Sequence, residues 1–182
     1  MKNKGMSWIS RVAVVFTALV LIISCKDNKA TQTVFSEKEQ ISAVNDLIDR
    51  VTSGRSSEFV VHLLSARQDS LDFFEFGTEN GKIMLGGNNG VSIASALGHY
   101  LREYCGYHLS WCGSNTVLPE TLPLPEKTTV KTSPYKWRYY LNYCTFNYSM
   151  SWWDFDRWQK EIDWMALNGI NMPLAITGQN SI

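Results

Sequence analysis

The sequence has no excess of charge of either sign: Lys and Arg total 17 and Asp and Glu total 17. That balance removes the electrostatic argument for a nucleic-acid partner. Histidine is scarce, at 3, and no cysteine pair has metal-ligand spacing with one, so no zinc site is expected. Proline is nearly absent outside one stretch, Leu118 to Pro134, which holds four of the 5. The glycine-rich turn Gly86-Gly87-Asn88-Asn89-Gly90 has neither a dinucleotide fingerprint nor a Walker Lys-Ser/Thr, so it is read as a tight turn that lets a helix pack on a sheet. Long apolar runs are lacking too. Val12 to Ile23 is uncharged but too short to span a bilayer comfortably.

That run has a different use. Lys2, Lys4 and Arg11 precede it as a basic region, and Ser24 places a small residue before Cys25. Ile22-Ile23-Ser24-Cys25 resembles a bacterial lipobox, in which the cysteine is acylated. The expectation is a signal peptide over 1–24, lipidation at Cys25 and a polar tether over 25–34. The protein is thus expected to be an exported bacterial lipoprotein of the cell envelope, at the periplasm or outer membrane, held to the membrane through Cys25. Of the 4 cysteines, Cys105, Cys112 and Cys144 remain. An exported chain meets oxidising conditions, yet spacing alone assigns no Cys105–Cys112 bridge.

After the tether, Ser36-Glu37-Lys38-Glu39 is a capping box, and Ile41, Val44, Leu47, Ile48 and Val51 follow at helical spacing up to Gly54. Glu58 to Ser65 reads as a strand. Leu71 to Phe76 and Lys82 to Leu85 read as two more around the turn Gly77-Thr78-Glu79-Asn80-Gly81, since Asn80 and Gly81 both accept positive φ. Val91, Ala94, Leu97, Leu101 and Tyr104 then mark an amphipathic helix closed at Gly106. Helix, strand, hairpin and helix make a small α+β domain over 35–114, followed by a Pro-rich connector over 115–134.

From 135 the pattern changes. Trp137 to Phe146 is aromatic and β-prone, Asp154 and Asp156 open a helix that ends at Gly169, and Ile170 to Ile176 is another short strand. Phe155, Trp158, Ile162, Met165 and Ala166 form one apolar stripe of that helix, while Trp153, Trp164 and Leu167 fall on another side, so the helix is expected to be covered on more than one face. Arg157 and Glu161, at i and i+4, read as a surface ion pair. Strand, helix, strand with this crossover implies parallel strands. Two strands and one helix cannot close a sheet, so the expectation is a chain that stops at Ile182 before its domain is complete.

The most specific residues run from Arg138-Tyr139-Tyr140-Leu141-Asn142-Tyr143-Cys144-Thr145 through Tyr148-Ser149 and Trp152-Trp153-Asp154 to Arg157-Trp158. They continue with Glu161-Ile162-Asp163-Trp164-Met165-Ala166-Leu167-Asn168-Gly169-Ile170-Asn171. This stretch resembles the α-N-acetylglucosaminidase family of glycoside hydrolases. Leu101-Arg102, Cys105-Gly106 and His108 resemble that family's small N-terminal domain. The resemblance implies an α/β fold: the small α+β domain followed by the first βαβ portion of a truncated (β/α)8 TIM barrel over 135–182.

The implied reaction is exo-hydrolysis of terminal α-linked N-acetylglucosamine from a glycan with retention, which needs two carboxyl groups and neither metal nor organic cofactor. In the family both are glutamates on later barrel strands, so no catalytic residue is assigned here and the two are expected downstream of Ile182. Glu161 and Asp163 lie in the first barrel helix, away from the strand ends where barrel sites form. Asn142, Cys144 and Tyr148 match the family's sugar-binding positions, although all three could instead fill the barrel interior. Gln179, after the second strand, is a further candidate. The chain departs from the pattern at Asn180, where many members carry an acidic residue. A non-catalytic glycan-binding lipoprotein and an inactive gene remnant stay open as alternatives.

Overall fold

The computed structural model describes residues 35–142, 144 and 148–174. The segment 1–34 with Cys25, and Gln179, lie outside the described residues. The first helix, α1 (Glu37–Thr52), starts at the capping box: Ser36 Oγ accepts from the Glu39 N–H at 3.3 Å, and Glu39 Oε2 accepts from the Ser36 N–H at 2.7 Å. Val44, Leu47 and Ile48 are buried along one face. A left-handed Ser53, φ 59°, ends the helix one residue before Gly54.

Three strands follow: β1 (Phe59–Leu63), β2 (Phe73–Glu79) and β3 (Lys82–Gly87). The turn between the last two is only Asn80-Gly81, with φ of 50° and 75°. Those angles match the right-handed twist of paired strands, which is why Asn-Gly favours a two-residue hairpin. Gly77, Thr78 and Glu79 belong to the strand, paired with Met84, Ile83 and Lys82. β1 lies parallel to β3 on its other side. The helix α2 (Gly90–Cys105) is capped by Asn89, whose side chain accepts from the Ser92 N–H, and by Gly106 at φ 63°. It lies across the sheet. Phe76, Ile83 and Leu85 from the strands meet Ile93, Leu97, Tyr100 and Leu101 from the helix, each 0–1% exposed.

A short pair, β4 (His108–Leu109) with β5 (Ser114–Asn115), comes next. The Pro-rich segment stays extended, and Tyr100 donates its hydroxyl hydrogen to Pro123 O at 3.0 Å. Its end forms β6 (Thr129–Thr132), antiparallel to β2, which completes the order β1-β3-β2-β6.

The last described elements are β7 (Tyr139–Tyr140), α3 (Phe155–Leu167) and β8 (Met172–Pro173). β7 and β8 are parallel, as the crossover length implies. Met172 N–H donates to Arg138 O and Leu174 N–H to Tyr140 O, so the proline between them gives up no bond to β7. α3 packs on α2 at a glycine. A Cβ at Gly98 would lie 2.2 Å from the carbonyl oxygen of Leu167, so only glycine allows this approach. Contact with α2 therefore falls on the Trp164 and Leu167 side of α3. The expected apolar stripe is buried only in part: Met165 is buried, but Phe155 is 75% and Ile162 54% exposed, whereas Glu161 and Asp163 are buried.

Candidate functional site

The first strand of the βαβ unit stops at Tyr140, because Leu141 takes φ of 80°. A leucine in the left-handed region carries strain of about 1 kcal/mol or more, held here by burial of its side chain against Met150. The positive φ ends strand alternation, so Asn142 and Cys144 are related by a turn and not by the two-residue repeat. Asn142 Oδ1 accepts from the Cys144 N–H at 2.8 Å, while the two amide N–H donors of Asn142 have no partner among the described residues. Asn142 is exposed, Cys144 half-buried and Tyr148 78% exposed. These three follow the C-terminal end of a parallel strand, where barrel enzymes place their binding loops. Gln179 lies outside the described residues.

Beneath this turn sits a polar cluster that the sequence did not reveal. Glu161 is 1% exposed. Its carboxylate accepts from the Trp111 indole N–H at 3.1 and 2.9 Å, from the Tyr140 hydroxyl at 2.8 Å and from the Arg157 guanidinium at 3.0 Å. The expected surface pair of Arg157 and Glu161 is thus a half-exposed arginine on a buried carboxylate, a correction with a physical cause. Trp111, 50 residues away in the chain, covers the acid and supplies a donor. Arg157 also stacks 3.7 Å above the Trp153 ring, and Trp153 meets Trp111 and Trp158 edge-on. Burial, followed by the bond to Glu161, pushes the Tyr140 hydroxyl pKa up, so Tyr140 remains a donor at neutral pH.

Two further ties join α3 to the preceding α+β part. Arg50 grips Asp163 with two bonds of 2.8 Å, and this pairing raises the Arg50 pKa. The Trp164 indole donates to Leu109 O at 3.0 Å while its ring packs 4.9 Å from that of Tyr140. Arg138, just before β7, donates to the Gly169 carbonyl and to Asp72. The carboxylates of Glu161 and Asp163 are therefore both occupied by structural partners. Cys105 and Cys112 are free thiols.

A small α+β unit leading into a parallel βαβ unit, with a polar turn after its first strand, is how a (β/α) barrel with a leading domain begins. Residues 42–124 match the α-N-acetylglucosaminidase N-terminal domain model, and residues 138–182 match the α-N-acetylglucosaminidase tim-barrel domain model. The human α-N-acetylglucosaminidase is 40% identical over 150 residues, covering 80% of this chain and 20% of the human protein. A family 89 glycoside hydrolase from Clostridium perfringens, solved with PUGNAc, superposes with a TM-score of 0.75 at 36% identity, over 82% of this chain and 17% of that one. The same TM-score and coverage hold for a Clostridium perfringens structure with two Glu→Gln substitutions, in complex with its substrate GlcNAc-α-1,4-galactose. The chain belongs to the α-N-acetylglucosaminidase family. It spans about a fifth of the length of the curated relative it matches.

Proposed function

We propose that this chain supplies the leading domain and the first sugar-binding turn of an exo-acting, retaining α-N-acetylglucosaminidase, which removes terminal α-linked N-acetylglucosamine from a glycan. The observation that carries the reading is family membership over both the α+β part and the βαβ part. Retention requires one carboxylate to attack the anomeric carbon and one carboxylic acid to protonate the leaving oxygen. The acid then acts as base on the water that releases the sugar. With Glu161 and Asp163 committed to Trp111, Tyr140, Arg157 and Arg50, that pair is assigned to later barrel strands. The part taken by this segment is to hold the sugar: Asn142 through its amide, Tyr148 through its phenol and Cys144 through a close apolar contact, with Gln179 a further candidate from the family resemblance.

The test is hydrolysis of 4-nitrophenyl α-N-acetylglucosaminide. The expected result is no turnover by residues 1–182 alone and turnover by a chain that includes the later barrel strands. Turnover by residues 1–182, blocked by a competitive inhibitor, would overturn the assignment of the carboxyl pair. The lipobox resemblance supports attachment to the cell envelope through Cys25. Cys25→Ser is expected to release the protein into the soluble fraction, and continued membrane retention would remove the anchor from the reading.

A further inference from the structure

The loop that carries Asn142, Cys144 and Tyr148 leaves β7 after Tyr140 and reaches α3 at Asp154, which caps the helix by accepting from the Arg157 N–H at 2.8 Å. Both stems of the loop converge on one carboxylate. Tyr140, at the first stem, donates its hydroxyl hydrogen to Glu161 Oε1 at 2.8 Å. Arg157, at the second, donates to Glu161 Oε2 at 3.0 Å and stacks on Trp153 inside the loop. Trp111 closes the cluster from the α+β part with its own donor.

We infer that Glu161 is a positioning residue, a buried clamp across the base of the 141–154 loop that sets where the Asn142 turn stands. Leu141, directly after Tyr140, sits in the left-handed region, and such a conformation persists only where its surroundings over-determine it. Leu141 and Met150 anchor the loop by apolar contact with Trp153, Trp158 and Leu174 nearby. Apolar contact lets side chains slide, whereas a carboxylate with three directed donors fixes Tyr140 in register. Losing that register shifts the turn whose Asn142 Oδ1 already holds Cys144. The inference rests on the reading of Asn142 and Tyr148 as sugar contacts for its effect on substrate, but its effect on the turn stands apart from that reading.

The experiment uses the full chain as its native host makes it and compares wild type with Glu161→Gln, Tyr140→Phe and Asp163→Asn. Glu161→Gln keeps the shape but loses the charge that holds Arg157. Tyr140→Phe deletes one hydroxyl and keeps the ring. Asp163→Asn weakens the Arg50 tie on the same helix without touching Tyr140. Two readouts are taken well below the melting temperature: KM and kcat on 4-nitrophenyl α-N-acetylglucosaminide, and the iodoacetamide alkylation rate of Cys144 relative to Cys105.

Glu161→Gln is expected to raise KM by about 3–10-fold, more than it lowers kcat, and to accelerate Cys144 alkylation several-fold. Tyr140→Phe is expected to do the same to a lesser degree, and should Glu161→Gln not fold, it decides alone. Asp163→Asn lowers the melting temperature and moves neither readout. If the Glu161 and Tyr140 variants only lose stability, with wild-type KM and Cys144 rate, the clamp is a packing feature and the inference is overturned. If the wild type neither cleaves nor binds the substrate, the glycosidase reading fails, and the Cys144 rate alone decides the clamp: acceleration sustains it and no change overturns it.

Discussion

The indole N–H of Trp111 reaches both carboxylate oxygens of Glu161, at 3.1 and 2.9 Å, across 50 residues of chain. Trp111 belongs to the loop between β4 and β5, and Glu161 to the middle of α3, so this bond ties the α+β part to the first barrel helix. It also puts an exposed aromatic to a polar use, for Trp111 is 45% exposed yet gives its one donor to a buried acid. Trp111→Phe keeps an aromatic ring beside Trp153 but removes the donor together with part of the indole's contact area. The expected loss is about 1.5–3 kcal/mol, the range for a hydrogen bond to a charged group, toward its lower end where replacement water has access. Urea denaturation of wild type and variant reads it directly, and an unchanged midpoint would show that water substitutes fully for the indole.

Gly98 gives a sharper test of how α3 lies on α2. Added methyl volume there would meet the Leu167 carbonyl oxygen at 2.2 Å, and backbone cannot swing away as a long side chain can. Gly98→Ala raises helix propensity by about 1 kcal/mol, which favours stability if nothing else changes. The clash opposes this with about 1–3 kcal/mol of overpacking, so the net effect is destabilising. Thermal unfolding of the variant is expected at a lower temperature than wild type. An increase would mean that the two helices separate easily and that their contact contributes little.

The local signals in the sequence were strong wherever one residue type has one backbone use. The capping box at Ser36 and Glu39, the Asn80-Gly81 turn and the glycine stop at Gly106 stand where the pattern put them. The parallel pairing of β7 and β8 followed from the length of the crossover. What periodicity missed was part of the face of α3, for Met165 and Leu167 are buried as the pattern implies. A pattern count assigns charge outward, so Phe155 and Ile162 went inside and Glu161 outside, the reverse of their observed exposure. The deciding factors were non-local: a glycine on α2 that admits Leu167, and donors from Trp111, Tyr140 and Arg50 that make burial of two acids tolerable. The candidate sugar residues came from resemblance alone. No spacing rule foretells a turn built on a left-handed leucine.

His99 links stability to pH. It is half-buried on α2 with its ring 5.0 Å from Phe74, and it faces Glu103 at 3.1 Å and Lys131 at 3.0 Å. Burial lowers its pKa below 6.5, Lys131 and Arg102 lower it further, and Glu103 opposes them. The unfolded chain therefore takes up this proton first. The contribution to stability is complete above pH 6.5 and is lost as pH falls through the folded value. The Glu103 carboxyl, itself held below 4.5 chiefly by Lys131, acts in a more acidic window. The melting temperature is expected to fall as pH is lowered from about 7 to about 5, and His99→Gln is expected to flatten that slope. An equal slope in both proteins would assign the acid sensitivity to other groups.

Tyr148 separates binding from packing. Its side chain is 78% exposed, so the hydroxyl is not needed by the fold. Tyr148→Phe should leave the melting temperature within about 1 °C, because surface changes of this kind fall within about 0.5 kcal/mol. If the phenol hydrogen-bonds the sugar in both ground and transition states, its loss raises KM and leaves kcat nearly unchanged. The expected rise is about 3–30-fold, corresponding to one neutral hydrogen bond of about 0.5–1.5 kcal/mol up to a better-desolvated one near 2 kcal/mol. Steady-state kinetics of the full chain on 4-nitrophenyl α-N-acetylglucosaminide make the measurement. Unchanged KM and kcat would take Tyr148 out of the binding site and leave Asn142 as the main polar contact of this turn, whereas a fall in kcat alone would place the phenol against charge that develops only in the transition state.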